Sequence, residues 1–492
     1  MWQALAVRGG VWLYCVDFMP AIVWHFVNLC FYLKTCFPSL LQPYNEIEMN
    51  EIKRAPIDRV VTPIQRFIQQ EKSGGLVLGI SVIIALFLAN SPWHNEYHHF
   101  FEQKLGFQFN GSTYLEYSFH HWINDGLMAI FFFVVGLELK REIVAGELSN
   151  PRKALLPIAA AIGGMLVPAL IYFGLNPTGE VQSGWGIPMA TDIAFALGIL
   201  YLLGNRIPLA LKVFLTALAI VDDLGAVLVI AFFYTSDISM MNLAIGLLFL
   251  LAMYIGNKMG VRSILFYAIL GIGGVWTAFL LSGVHATIAS VLAAFTIPAD
   301  VEIKEDVFIE RIKKHLGRFA SADPNNKVPT LTNEQLHILE NVNADTNHAI
   351  PPLQKLEHAM HPFVTFIIIP IFALANAGVS VLDIDFDELF STNVAIGVVL
   401  GLLVGKVVGV VGFTWLCAKL KIAPFPKGMN MRNLLGLGLL ASIGFTMSLF
   451  ITELAFVHPE YKVQAKVGIF AASIIGGVLG YMVLSKQSKM KD

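Results

Sequence analysis

The sequence predicts an all-α, polytopic membrane protein with twelve transmembrane helices, and three observations predict it. First, the 492 residues are 56% hydrophobic and only 14% charged, whereas soluble domains carry about 25% charged residues. The mean hydropathy of +0.66 points the same way. Second, twelve apolar runs approach the roughly 20 residues needed to cross about 30 Å of hydrocarbon. Third, Lys and Arg cluster on alternate loops. With twelve spans, only Lys104, Lys462 and Lys466 fall on the side opposite the basic clusters. The positive-inside rule then places both ends in the cytoplasm when the chain is read from Met49.

The elements follow in order. Residues 1–48 form an N-terminal extension whose apolar run, 11–33, is interrupted by Asp17 and His25. No small-residue cleavage site follows, so it does not read as a signal peptide. A thirteenth span, an interfacial helix, or a start at Met49 that leaves 1–48 untranslated all remain open. Residues 49–73 are a cytoplasmic segment. Spans 1–8 lie within 74–300, at 74–90, 120–139, 154–175, 185–203, 208–234, 240–256, 262–281 and 284–299. The outer loop "LGFQFNGSTYLEYS" places Asn-Gly between alternating residues, the signal of a hairpin. Residues 301–357 are a polar cytoplasmic loop. In it, "KEDVFIERIKKHLGRF" spaces Phe308, Ile312, Leu316 and Phe319 as on a helix, and "SADPNNKVPTLTNEQ" reads as turn or linker. Spans 9–12 lie within 358–485, at 360–383, 394–418, 433–456 and 464–485, and 486–492 is a cytoplasmic tail.

A net charge of −2 argues against nucleic acid as a partner. The four cysteines show no metal-ligand or disulfide spacing. No cofactor is implied.

Six ionisable residues fall inside the spans: Asp125, Asp192, Asp222, Asp223, Lys406 and Glu453. Each charge at a helix centre costs roughly 2.5–3.5 kcal/mol on insertion scales. A single Asp–Lys pair has an ordinary explanation as a fastening between helices. Adjacent Asp222 and Asp223 strain that explanation. Neighbouring residues on a helix point about 100° apart, so one lysine serves one carboxylate well. Two close carboxylates repel, and a proton or a small cation relieves the repulsion. The pair therefore reads as an ion-exchange site. Asp125 and Glu453 read as structural.

Spans 4 and 11 add a second signal. "GWGIPMATDIAFALGILYLL" carries Gly184, Gly186 and Pro188 before Thr191–Asp192; "LLGLGLLASIGFTMSLFI" carries Gly436, Gly438 and Gly444. Such interrupted segments in matching positions point to broken helices around a mid-membrane ion site, with Asp192 suited to positive half-helix ends and Lys406 to negative ones. Packing alone is the competing explanation of the glycines.

"MATDIAFALGIL", "LTALAIVDDLGAVLVIAFFY", "FFFVVGLELKREIVAGEL", "LLSGVHATIASVLAAFTIP", "PIFALANAGVS" and "ASIGFTMSLFI" resemble the NhaA-type sodium/proton antiporters of bacterial inner membranes over about 60–300 and 350–485. That family is itself a standard example of the inverted-repeat, broken-helix architecture. The resemblance implies spans 3–5 and 10–12 as inverted repeats, with broken spans 4 and 11 crossing. It implies electrogenic exchange of Na⁺ or Li⁺ for more than one H⁺. Asp223 resembles the principal cation and proton carrier, and Asp222 its neighbour paired with Lys406. The two aspartates would hold Na⁺ or Li⁺ transiently. Thr191 and Asp192 resemble the span 4 break. Glu138, Arg141, Glu142, Glu357, His358 and His361 resemble cytoplasmic-edge groups tied to pH response, and His285 an outer-end histidine with the same tie. The outer loop near 100–118 resembles the contact of a homodimer. The extension 1–48 and the long loop after span 8 depart from the family.

Two other classes compete. A sodium-coupled symporter or cation channel shares the buried charges, although no solute-pocket signature is seen. An intramembrane aspartyl protease needs its acids on separate helices, in Tyr-Asp and Gly-x-Gly-Asp contexts, which the adjacent pair does not match.

Overall fold

The structure is a computed structural model that describes residues 5–7, 11–13, 71–109, 112–204, 207–235, 238–322, 330–380, 392–426 and 428–486. Apart from two short strands, the N-terminal extension lies outside these residues, as do 49–70, most of the tail and the Asn-Gly pair at 110–111.

The described residues are predominantly helical. Among the described residues, eight helices are long and apolar enough to cross a membrane, and two further bent pairs each pass together. In order they begin with α1 (Glu71–Ala89) and α2 (His94–Glu102), bent by 112° to one another, and α3 (Met128–Val144). Then come α4 (Pro151–Leu175), a 3-10 segment Glu180–Met189 continued by α5 (Ile193–Leu202), and α6 (Leu209–Phe233). α7 (Met240–Lys258), α8 (Ile264–Ser282) and the shorter α9 (Ala286–Thr296) follow. After the polar loop come α12 (Pro352–Asn376), α13 (Val394–Lys419), the bent pair α14 (Met431–Ala441) and α15 (Phe445–Ala455), and α16 (Pro459–Ser485).

Among the described residues, helix falls within each of the runs from 74–90 to 464–485, with different lengths. The run 284–299 yields only the eleven residues of α9. Gly283, at φ +83°, turns the chain before it. Ile297 is extended ahead of Pro298, as a residue preceding proline is pushed to be. The polar loop holds two helices where the sequence suggested one: α10 (Glu305–Ala322) and α11 (Asn333–Ala349). The stretch read as linker ends in a capping box, with Thr332 and Gln335 bonding reciprocally, and this starts α11.

The outer loop is the expected hairpin. β3 (Lys104–Phe109) and β4 (Ser112–Ser118) pair antiparallel, with Phe109 opposite Ser112. Two short strands from the extension, β1 (Leu5–Val7) and β2 (Val11–Leu13), complete a four-stranded sheet in the order β1-β2-β3-β4. The first three residues of the apolar run 11–33 are therefore strand.

The chain divides into two compact units, Met1–Phe131 with Asn150–Thr235 and Pro362–Asp492, and Phe132–Ser149 with Ser236–His361. In the first, α4 and α13 approach until backbone meets backbone at Gly163 and Gly409, where either Cβ would collide with the facing carbonyl. Small residues permit such contact in lipid, where association rests on packing rather than on the hydrophobic effect. The second has a core of Leu137, Met253, Tyr267, Val275, Phe279, Ala289, Ala293 and Leu353.

Candidate functional site

Two helices break in the first unit, and each break holds the other. After the 3-10 segment, Ala190–Asp192 are non-helical; α14 ends at Ala441, and α15 begins at Phe445. Breaking a helix frees backbone groups that a buried, apolar setting does not satisfy. Here each break satisfies the other. The Asp192 N–H donates to the Ile443 carbonyl (2.6 Å), and the Thr191 hydroxyl to that of Ala441 (2.9 Å). The Ser448 hydroxyl donates to the Ile187 carbonyl (2.8 Å).

The Asp192 carboxylate caps two helices at once. One oxygen accepts from the Phe195 N–H at 3.0 Å; the other accepts from the Thr446 N–H at 3.0 Å and the Thr446 hydroxyl at 2.5 Å. Both α5 and α15 therefore present their positive N-termini to one negative charge. At the opposite pole Lys406 donates to the Met189 carbonyl, the last of the 3-10 segment, and to Asp222 Oδ2 at 2.5 Å. Lys406 ends a π-helical stretch, Gly401–Lys406, whose wider turns locally re-aim side chains.

Asp222 and Asp223 sit in the middle of α6. Asp192, Asp222, Asp223 and Lys406 are each no more than 1% exposed. Asp222 holds Lys406, and Asp223 lies within electrostatic reach of the same ammonium. Thr191 lies beside Asp222. The structure thus brings together all five residues singled out in the sequence for the membrane site: Thr191, Asp192, Asp222, Asp223 and Lys406. Four of the glycines read as break signals pack instead. A Cβ on Gly184 would strike Tyr172 and Phe456, one on Gly186 Tyr234, one on Gly436 Leu484, while one on Gly438 would lie against Val407 and Val411. Gly444, in contrast, is the N-cap of α15.

The second unit holds the residues read as pH-linked. Arg141 bonds Glu357 at 2.5 Å and Glu142 at 3.0 Å, and Glu142 also accepts from the Glu147 N–H. Glu138 lies within electrostatic reach of Arg141 and Glu357, as His358 does of Glu357. His361 lies one turn beyond Glu357 on α12. His285 stands apart from this cluster, at the N-cap of α9.

Glu453, read as structural, is the centre of a cluster the sequence did not reveal. It accepts from Lys462 at 2.7 Å and Lys466 at 2.9 Å. The available signal was the scarcity of cations on the side opposite the basic clusters, since Lys462 and Lys466 are two of the three expected there. Asp125 lies 3.2 Å from His121, one turn away.

The chain matches the family described as Na⁺/H⁺ antiporter 1 over residues 65–484. It is 49% identical over 434 residues to the Na(+)/H(+) antiporter NhaA of Acidithiobacillus ferrooxidans, covering 88% of this chain and 99% of that protein. It is 48% identical over 434 residues to Na(+)/H(+) antiporter NhaA 1 of Saccharophagus degradans, covering 87% and 92% respectively. With the NhaA of Phocaeicola vulgatus the identity is 46% over 426 residues, covering 85% and 95%. The chain belongs to the NhaA-type Na⁺/H⁺ antiporter family.

Proposed function

We propose that this family member is a secondary transporter that uses an inward proton gradient to extrude Na⁺, and Li⁺ as its congener, by exchange at Asp222 and Asp223. The observation that carries the reading is the charge balance of the crossing. With all groups ionised, three carboxylates face one ammonium, all buried. Asp192 is matched by two half-helix N-termini, each worth about half a positive charge. Asp222 is matched by Lys406. The balance then closes with one more positive charge near Asp223, and H⁺ and Na⁺ compete to supply it. A hard, monovalent cation suits carboxylate, carbonyl and water oxygens.

From the cytoplasm Na⁺ displaces protons from the aspartates. The crossed broken helices then reorient, and protons on the outer side drive Na⁺ off. The family resemblance adds more than one H⁺ per Na⁺, which makes the cycle electrogenic and requires a second proton to leave the Asp222–Lys406 pair when Na⁺ binds. Excess cytoplasmic protons compete for the same carboxylates, so the cycle slows in acid. The cluster of Glu138, Arg141, Glu142, Glu357, His358 and His361, with His285, tunes that pH response. The architecture we infer has twelve spans, with spans 3–5 and 10–12 as inverted repeats and domain limits at 1–48, 49–73, 74–300, 301–357, 358–485 and 486–492. It resides in a bacterial inner membrane with both ends cytoplasmic, and it pairs as a homodimer through the outer hairpin near 100–118.

The test is ²²Na⁺ flux into proteoliposomes under an imposed ΔpH. The parent protein is expected to move Na⁺ against H⁺, and Asp223→Asn to abolish exchange while keeping its melting temperature. Near-parental flux in Asp223→Asn would overturn the assignment. Na⁺ flux that carries no counterflow of protons would favour a channel or symporter.

A further inference from the structure

The outer end of α15 carries a charge arrangement that its own helices disfavour. Glu453 lies in the last turn of α15, where the helix dipole is negative. Lys462 lies in the first turn of α16, where the dipole is positive, and Lys466 follows one turn later. The three charges make sense only through one another. Glu453 takes Lys462 on one oxygen (2.7 Å) and Lys466 on the other (2.9 Å), with His120 4.0 Å away. Its side chain is only 6% exposed. Charge-assisted bonds to a largely buried carboxylate are the strong kind.

The position of the cluster links it to the crossing. Thr446, which gives two hydrogen bonds to Asp192, begins α15, and Glu453 lies seven residues on, about 10 Å along the axis. The Ser183 hydroxyl also ties the α15 end, at the Ala455 carbonyl, to the 3-10 segment (2.7 Å). A helix of eleven residues held at both ends can pass a displacement of one end to the other.

We propose that Glu453 is a positioning residue of the exchange site, acting through α15. Gripped by Lys462 and Lys466, it sets the half-helix so that Thr446 can hold Asp192, and thereby sets the cation affinity of the crossing. This rests on the antiporter reading above.

The experiment measures Na⁺ concentration dependence of ΔpH-driven exchange in proteoliposomes. Glu453→Gln is expected to raise the KM for Na⁺ about tenfold with the maximal rate held within about twofold, because the half-helix is misplaced while the carriers are intact. Glu453→Asp, which keeps the charge, is expected to recover most of the affinity. Combining Glu453→Gln with Thr446→Val is expected to raise KM no further than the larger single effect, because both act on one linkage. An unchanged KM in Glu453→Gln overturns the proposal. So does a fall in rate with KM unmoved, an aspartate variant no better than glutamine, or effects that multiply in the double variant. Should Glu453→Gln fail to fold, the neutral triple variant E453Q/K462Q/K466Q, which leaves no lone charge, is read by the same criteria. Absence of exchange in the parent protein would overturn the antiporter reading instead, so the two failures are told apart.

Discussion

Replacing Lys406 with Met removes one charge from the crossing and little volume. In the structure the ammonium lies 2.5 Å from Asp222, with both side chains 1% exposed. The aliphatic stem packs against α4, where a Cβ built on Gly164 would stand 3.6 Å from Lys406 Cδ and Cε. Met fills the same channel. What it cannot do is compensate the Asp222 carboxylate, whose side chain is 1% exposed. Removing one partner of a buried pair costs about 3–5 kcal/mol, while removing both often costs little. The Met189 carbonyl loses its donor as well, which adds about 1–3 kcal/mol for an unsatisfied buried group. At about 2 °C per kcal/mol for a large domain, Lys406→Met is expected to melt roughly 8–16 °C below the parent. The assay is thermal unfolding of detergent-solubilised protein, followed by intrinsic fluorescence, for Lys406→Met, Asp222→Asn and the double variant. The double variant is expected to recover most of the electrostatic share. A Lys406→Met protein melting within 2 °C of the parent, or a double variant less stable than Lys406→Met, would refute the reasoning.

Two further expectations rest on groups that cap or clasp. Asp192→Ala removes two helix caps at about 1 kcal/mol each and is expected to lower stability by about twice as much as Asp192→Asn, which keeps one acceptor oxygen; equal losses in a denaturant titration would contradict the double-cap geometry. In the helical hairpin of α10 and α11, burial pushes the Asp345 carboxyl up, but hydrogen bonds from Arg311 and His315 outweigh it and hold the group below the usual carboxylate range. A lowered value means the clasp is fully present above the ordinary carboxylate pKa of about 3.9 and is lost as pH falls through the folded value. Amide exchange across 305–349 in the full protein is expected to lose protection only in that acid window, and Asp345→Asn to remove the pH step; an unchanged step in the variant would assign it to another group.

The sequence made the spans legible because lipid allows so few backbone solutions. A run that crosses lipid has to be a helix, and among the described residues eight helices, or ten with the two bent pairs, are long and apolar enough to do so. The five residues of the crossing were legible for the same reason, since a charge in hydrocarbon is conspicuous. Less legible were features set by partners far away along the chain. Gly184 and Gly436 looked like helix breakers, yet they make room for Tyr172 and Leu484, contacts no local pattern encodes. The break itself is made by Ala190–Asp192 and by Ser442–Gly444, where backbone bonds are exchanged between two segments about 250 residues apart. Glu453 looked like an ordinary helix-end acid because its lysines lie on the following helix. The second helix of the polar loop, α11, was less legible for a simpler reason: Asn, Pro and Lys before Thr332 read as linker and masked a capping box that was fully written in the sequence.

The crossing also explains why its charges cannot be exchanged for one another. Asp192 is fixed by three hydrogen bonds, two of them from backbone N–H groups that cannot leave without unwinding α5 or α15. Lys406 is fixed by a carbonyl end and by Asp222. Protonating Asp192 would weaken bonds that hold both breaks together, so on the proposed reading it stays ionised throughout the cycle and serves as scaffold. Asp222 and Asp223 lie instead in an unbroken helix, α6, whose backbone bonds do not depend on their charge. On the proposed reading, a proton or cation can come and go at Asp223 without breaking a backbone bond, whereas one at Asp222 has to be matched by a change at its partner Lys406. On the proposed reading, the location of exchange follows from which carboxylates the backbone can spare, and this favours α6 over the break even though both carry buried aspartates.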